Sequence, residues 1–588
     1  MKVSVVAMLT LLISNTLFAQ MNIGIDYYRL GDYQKAKVYL EKTTTNMVET
    51  NYYLGEVAFA EGNYQKAEEY YNKGLSENSE DVLNQIGLAK LKLRSDTKEA
   101  SSTFFAIQKK NGKTAKILIA IAYAYLDNNL LEEAETWHAE AKKGNQKNPN
   151  LYILEGDIIV KKNDVKKLGE AGGKYEMANY YAADFALAYV KTAQVYENVD
   201  ASLAIEKLKT IIEKQPDYII AYAYLGKLYT LTAFYQLAIE TYKKYIDEGI
   251  YSVDDLDHYA RALYFSQDYD AAMKVVNMGL AEKPDHFVLN RYKLYIYEET
   301  KDVEKGLETA TKFFKMREPS GYISTDYTKY ASLLNSVGRY DDAIIQYNKA
   351  IEKAPNELTL YTEAATLARN NKDYAQAADY LKKQMEKKAE LSDDGDYVDN
   401  IVDANTLGYD YYSAGFTIGK NQPLAEKLMK NETIINMLLS ADASLIIDSL
   451  KGSINYFSRN YALYYLHKAD SVFDILIERI PTSYTGYRFK ALTKNAINPA
   501  IEEGEAKPYY EKVVEILATN DELTPANRRI LLEAYNYLGY YYYLVFHASS
   551  AKSDKDSAKE NAIMYWTKVL EIDPENTNGI AVLNELSK

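Results

Sequence analysis

Small and aromatic residues recur at fixed steps along this chain, separated by positions that are mostly charged or polar. In GNYQKAEEYYNKG the recurring set is Tyr64, Ala67, Tyr71 and Gly74; in GRYDDAIIQYNKA it is Tyr340, Ala343, Tyr347 and Ala350; in GDYQKAKVYLEKT it is Tyr33, Ala36, Leu40 and Thr43. Steps of three, four and three place each set on one face of a helix, so these stretches predict amphipathic helices. Between Leu225 and Tyr245, LGKLYTLTAFYQLAIETYKKY gives the full unit: a first helix carrying Gly226, then a second carrying Tyr235, Ala238, Tyr242 and Tyr245. Ala204, Ala238, Ala272 and Gly306 follow one another at intervals of 34, as do Ala343 and Ala377. A period in this range predicts helix pairs stacked into an all-α solenoid. Gly226 and Ala238 would let paired helices approach, Tyr235 and Tyr242 would fill the gap between pairs, and Tyr245 would pack toward the next one.

On these residues the chain resembles the tetratricopeptide repeat (TPR) family of the exported bacterial type. The family pattern is a small residue in helix A, an aromatic opening helix B, a small residue three later and a Pro beyond. It is matched by Gly55, Tyr64 and Ala67, by Gly226, Tyr235 and Ala238, and by Ala331, Tyr340, Ala343 and Pro355. Pro216 and Pro284 hold the same terminating position. Roughly fourteen repeat-like units cover most of the chain, several of them degenerate. In one, GEAGGKY is expected to break the helical pattern with three glycines. The resemblance implies a superhelical solenoid of helix-turn-helix repeats with helical insertions in the C-terminal third.

The regular phasing fades near Gln384, and the predicted organisation is a leader over 1–20, a regular array over 21–390 and an elaborated TPR-like region over 391–588. Within the last, Leu407, Gly408 and Tyr411 sit in helix A positions, while the matching helix B residues Ala469, Phe473 and Pro481 come much later. Phe416 to Arg459 is read as an insertion between them, NAINPAIEEGE and HASSAKSDKDSAKE as smaller ones, and 579–588 as a capping helix.

Composition changes this picture in three ways. The start, MKVSVVAMLTLLISNTLFAQ, has a Lys, an apolar run and Ala19 before Gln20, which reads as a secretory leader with export to a periplasm or the outer membrane. There are 69 basic and 83 acidic residues, a net charge of −14; loss of Lys2 with the leader leaves −15, which opposes nucleic-acid binding. No cysteine occurs, so disulfides, thiolate catalysis, Cys-ligated zinc and a Cys-borne lipid anchor are excluded. The 58 tyrosines imply many half-buried positions where a ring packs and its hydroxyl stays wet.

Candidate chemistry is thin. GFTIGKN, Gly415 to Asn421, has three residues between its glycines where a phosphate loop has four, and Asn where Ser or Thr would bind magnesium. SDDGDYVDN offers Asp393, Asp394, Asp396 and Asp399, but Val398 takes a position where a calcium loop needs oxygen, so an acidic linker is the better reading. His138, His258, His286, His467 and His547 are scattered and no GxSxG or SxxK is present. The expectation is a protein that is not an enzyme and carries no cofactor or metal.

What the resemblance implies instead is partner binding along the concave face, through helix A positions. In phase these are Tyr52, Glu56, Phe59, Lys227, Thr230, Arg261, Tyr264, Asn335 and Arg369. The family's basic clamp for a peptide carboxylate is not evident here. The expected function is a protein-interaction scaffold of a bacterial cell-envelope complex, with protein partners, no nucleic acid and no direct membrane span. The rival reading is a glycan-binding protein resembling the TPR-containing starch-utilisation outer-membrane proteins, with insertion tyrosines such as Tyr456 and Tyr461 stacking on sugar.

Overall fold

The computed structural model describes residues 20–162, 167–392, 401–518 and 523–588. The leader up to residue 19 and the acidic run Asp393 to Asp399 lie outside them. The described residues form helices joined by short turns, with no strand among them. The chain divides at Met316/Arg317 into two compact units. The residue near 390 where the sequence loses its phasing falls inside the second.

In the first unit consecutive helices pair: residues 20–29 with Tyr33–Glu41, then Met47–Ala60 with Tyr64–Glu77, and onward to Phe287–Glu299 with Val303–Phe313. Several of these pairs are joined by a turn of one geometry. Gly31, Gly62, Gln267 and Lys301 are all left-handed, with φ between 59° and 84°. Each is followed by an Asp or Asn whose side chain accepts the N–H three residues on: Asp32 from Lys35, Asn63 from Lys66, Asp268 from Ala271, Asp302 from Lys305. The left-handed residue reverses the chain and the cap starts the second helix. At Ala233, φ 62°, the same turn is followed by Phe234, which caps nothing.

Within pairs the expected small-on-aromatic packing is present. A Cβ added to Gly55 would lie 2.3 Å from the Tyr71 ring, and one added to Gly87 of the next pair 2.4 Å from the same ring. Gly226 lies against Tyr242 and Gly24 against Leu40 in the same register, sixteen residues apart. Tyr235 stacks on Phe265 of the following pair, ring centres 5.0 Å apart, and the Tyr245 hydroxyl donates to Asp255 at 3.0 Å.

One expectation fails in this unit. GEAGGKY does not interrupt a helix: Leu168–Tyr181 runs through all three glycines. Gly172 receives the Tyr196 ring, so tertiary contact outweighs the helix-weakening tendency of glycine.

The second unit begins with regular pairs, Ser324–Ser336 with Tyr340–Lys353 and Leu358–Asn370 with Tyr374–Leu391. Helix Ile401–Ile418 then packs on the long helix Ile454–Arg479; a Cβ on Gly408 would lie 2.6 Å from Phe473, so partners 65 residues apart make the contact that neighbours make elsewhere. Between them Gln422–Met429, Glu432–Ala441 and Ile447–Gly452 bury Ala425, Leu428, Ile435, Leu438 and Leu450 in one core with Phe457 and Tyr461. Phe416 belongs to the helix before this excursion and Arg459 to the helix after it. Gly415 is helical, and a Cβ there would lie 2.7 Å from the Ala462 carbonyl, so GFTIGKN is a helix end packed on a neighbour and not a loop. The polar run after His547 is largely helical as well, lying in Lys552–Ile572, which pairs with Pro525–Ala548. Thr577–Leu586 closes the order.

Two substitutions test this account by urea denaturation of the whole chain. Gly55→Ala drives a methyl into the Tyr71 ring and is expected to cost about 1–3 kcal/mol. Ala233→Gly removes a left-handed Cβ and is expected to raise stability by about 1 kcal/mol.

Candidate functional site: the inner groove of the first unit

The first helices of successive pairs in the first unit line a cavity of about 1180 Å³. Its walls come from Met47–Ala60, Ala115–Asp127, Pro149–Lys161 and Ala186–Tyr196, and one side is closed by residues 22–33.

The wall is held by buried charge. Glu56 accepts from the Tyr71 hydroxyl at 2.7 Å, from Tyr28 at 2.9 Å and from the Lys90 ammonium at 2.8 Å. Lys90 also donates to Asp127 at 2.6 Å and sits 4.2 Å above the Phe59 ring. Asp157 repeats the arrangement: it accepts from Tyr175 at 2.7 Å, Tyr123 at 2.8 Å and Lys191 at 2.9 Å. Glu56 to Lys90, Tyr123 to Asp157 and Asp157 to Lys191 are each 34 residues apart, so each carboxylate ties its own pair to a neighbouring one. Burial alone would lower the Lys90 pKa, but Asp127 and Glu56 outweigh it and raise it; burial raises that of Asp127.

Helix 20–29 lies on this wall and reaches across several pairs. Arg29 donates to Asn150 at 3.1 Å, Gln194 to the Leu30 carbonyl at 3.3 Å, and the Tyr218 hydroxyl to Asp26 at 3.0 Å. In the next helix Lys35 bridges Asp32 at 2.9 Å and Asp255 at 2.8 Å. Asp26 is half-buried, and desolvation pushes its pKa up to about 6 against the opposing pull of Arg29 and the Tyr218 hydrogen bond.

Of the residues singled out from the sequence, Tyr52 and Glu56 come together on the cavity wall. Phe59 is buried beneath Lys90 and beside Tyr64. Lys227 pairs with Glu197 at 2.7 Å. Thr230 is fully buried, its hydroxyl donating to the Gly226 carbonyl. Tyr264 is buried among Tyr269, Tyr292 and Tyr295. Arg261 is half-buried, its guanidinium 5.9 Å from the Phe265 ring and its Nε without a hydrogen bond. Asn335 and Arg369 belong to the second unit, where Arg369 makes a bidentate pair with fully buried Asp410 at 2.7 and 2.9 Å. Sequence reasoning did not single out Lys90, Asp127, Asp157 and Lys191, although the 34-residue step from Glu56 to Lys90 was there to be read. No local signal marks Asp26 or Arg29, whose partners are over 100 residues away.

Residues 48–81 match the family model described as tetratricopeptide repeat. Among curated proteins, a TPR repeat-containing protein of Methanocaldococcus jannaschii is 24% identical over 454 residues, 73% of this chain and 68% of the relative. Among solved structures, the C-terminal part of a TPR repeat-containing protein from Cytophaga hutchinsonii is 22% identical, covering 56% of this chain and 99% of its own, with a TM-score of 0.34. A tetratricopeptide repeat protein from Parabacteroides merdae is 20% identical, covering 44% and 100%, with a TM-score of 0.31.

The Asp26 geometry sets a pH dependence. Its folded pKa of about 6 lies above the ordinary 3.8, so the folded chain takes up this proton first and gains stability from it as the pH falls from about 7 toward 4. Asp26→Asn keeps an acceptor for Tyr218 without the charge. Compared by thermal unfolding, the variant is expected to be more stable than wild type by about 1 kcal/mol at pH 7.5, with the difference closing by pH 4.5.

Proposed function

We propose that this tetratricopeptide-repeat protein is a non-catalytic scaffold of a bacterial cell-envelope complex, binding protein partners along the groove of its first unit. The observation that carries the reading is the wall itself: a preformed surface in which each pair contributes aromatic rings and charged groups at the repeat interval, rigid because its buried charges are already matched. A surface of that kind binds through many modest contacts and loses little entropy in doing so. Lys161 stands exposed at the cavity, and Lys116, exposed beside it, is paired with Glu49 at 2.8 Å; both present charge to a partner.

The envelope setting is supported by the leader-like first residues, and the absence of cysteine fits association without a Cys-borne lipid anchor. No described helix is long and apolar enough to cross a membrane. The glycan reading has less to stand on: Tyr461 is in the core, its ring 4.7 Å from that of Tyr465, and both Trp137 and Trp566 are buried. None of the three offers a free face to a sugar.

The test is affinity capture of the intact protein's partners from a gently solubilised envelope fraction, beside chromatography on immobilised polysaccharide. A stoichiometric protein partner is expected, with affinity falling about tenfold in the Lys116→Glu/Lys161→Glu variant. Retention on polysaccharide with no protein captured would overturn the reading.

A further inference from the structure

Where the two helices of a pair meet in the first unit, the turn commonly ends in Asp or Asn: Asp32, Asn63, Asp96, Asp200, Asp268 and Asp302 each accept the N–H three residues on. Between Ile219–Leu231 and Tyr235–Ile246 that place is held by Phe234, which caps nothing and is 55% exposed. Leu231 and Leu237, three residues to either side, are exposed as well. Lys35, Lys66, Glu99 and Lys305 stand where Leu237 does in four other pairs. Phe265 of the next pair is 48% exposed, its ring stacked on Tyr235. Single exposed apolar side chains are ordinary, but four gathered at two adjoining turns, one in place of a helix cap, give up local stability for an apolar surface. None of the four lines the groove.

The border of this surface is acidic. Asp200 and Asp268 hold the place of Phe234 one pair before and one pair after, 34 residues either way, and Glu240 and Asp270 lie in the helices that follow Phe234 and Phe265. All four are exposed. Arg261, half-buried with its guanidinium 5.9 Å from the Phe265 ring, offsets one of these charges.

We propose that Leu231, Phe234, Leu237 and Phe265 form a second docking surface, separate from the groove, for a basic amphipathic helix of a partner protein. The turns of adjoining pairs stand about 10 Å apart, the rise of about seven helical residues, so positions i and i+7 of one apolar stripe reach both. Lysines or arginines flanking that stripe meet Asp200, Glu240, Asp268 and Asp270. A second copy of this chain brings the same acids to the border and is disfavoured by them.

Binding of a fluorescent helical peptide of leucine and lysine, its leucines along one face, to the full chain tests this. It is expected to bind at least about tenfold more tightly than a scrambled peptide of the same composition or a version with glutamate for lysine. Leu231→Glu/Phe234→Asp gives this edge what other pairs carry, Glu197 and Glu299 at the first place and Asp200 and Asp268 at the second. It is expected to unfold at no lower a temperature than wild type and to bind the peptide at least about tenfold more weakly. The variant is more acidic, so attraction by charge alone would tighten binding. A folded variant that holds the peptide as well as wild type therefore overturns the proposal, as does a wild type that treats the striped and scrambled peptides alike. A wild-type dimer that the variant dissolves would place a second copy on this surface and overturn it too. If the double variant does not fold, Phe234→Ser, which also offers a capping hydroxyl, gives the same decision. No groove residue is changed, so failure here leaves the groove reading standing.

Discussion

The repeated structure rests on one contact, an aromatic ring set against a glycine. Tyr71 is held between Gly55 of its own pair and Gly87 of the next, where neither position has room for a Cβ. One ring thus fixes two interfaces at once, the one inside a pair and the one between pairs. The same register recurs at Gly226 with Tyr242, and it survives the excursion between Gly408 and Phe473. Because both helices are close-packed at that point, the distance and crossing of such a pair follow from the size of one residue. In the interior the Tyr71 hydroxyl finds an acceptor, whereas that of Tyr242 makes no hydrogen bond.

The Tyr71 bond joins packing to charge. Tyr71 gives its proton to Glu56, and Tyr175 gives its own to Asp157. A buried carboxylate requires further donors, which arrive as Lys90 and Lys191 from the helix 34 residues on. The inner surface is therefore a row of charges whose members are paired with one another, and what it presents outward is polar, aromatic and nearly neutral. A buried pair of this kind contributes little net stability over an apolar one but holds one register against others. For a recognition surface, register is the property that matters, since a slipped pair would move every side chain of the groove.

Much of this was legible in the chain. The steps of three and four gave the helices, the 34-residue interval gave the stack, and Gly55 with Tyr64 and Ala67 gave the family pattern. The delayed partnership of Gly408 with Phe473 could be read from phase across an insertion. The candidate site was legible only in part. Tyr52 and Glu56, chosen because helix A positions are regular, fall on the cavity wall, but they are buried there, as are Thr230 and Tyr264, chosen by the same rule. A rule based on period does not distinguish an inward-pointing side chain from one covered by its neighbour.

What the sequence determined by itself is local: which residues are helical, which face is apolar, and that neighbouring pairs must stack to cover it. Even the left-handed turns at Gln267 and Lys301 follow from that stacking and not from the residue placed there. What only the tertiary structure decided is how far around the stack the first pair reaches. Asp26, Arg29 and Lys35 meet Tyr218, Asn150 and Asp255 because small rotations, one per pair, add up over several repeats until distant pairs face each other. A periodic sequence specifies each rotation through side-chain size, but the sum is a property of the assembled unit.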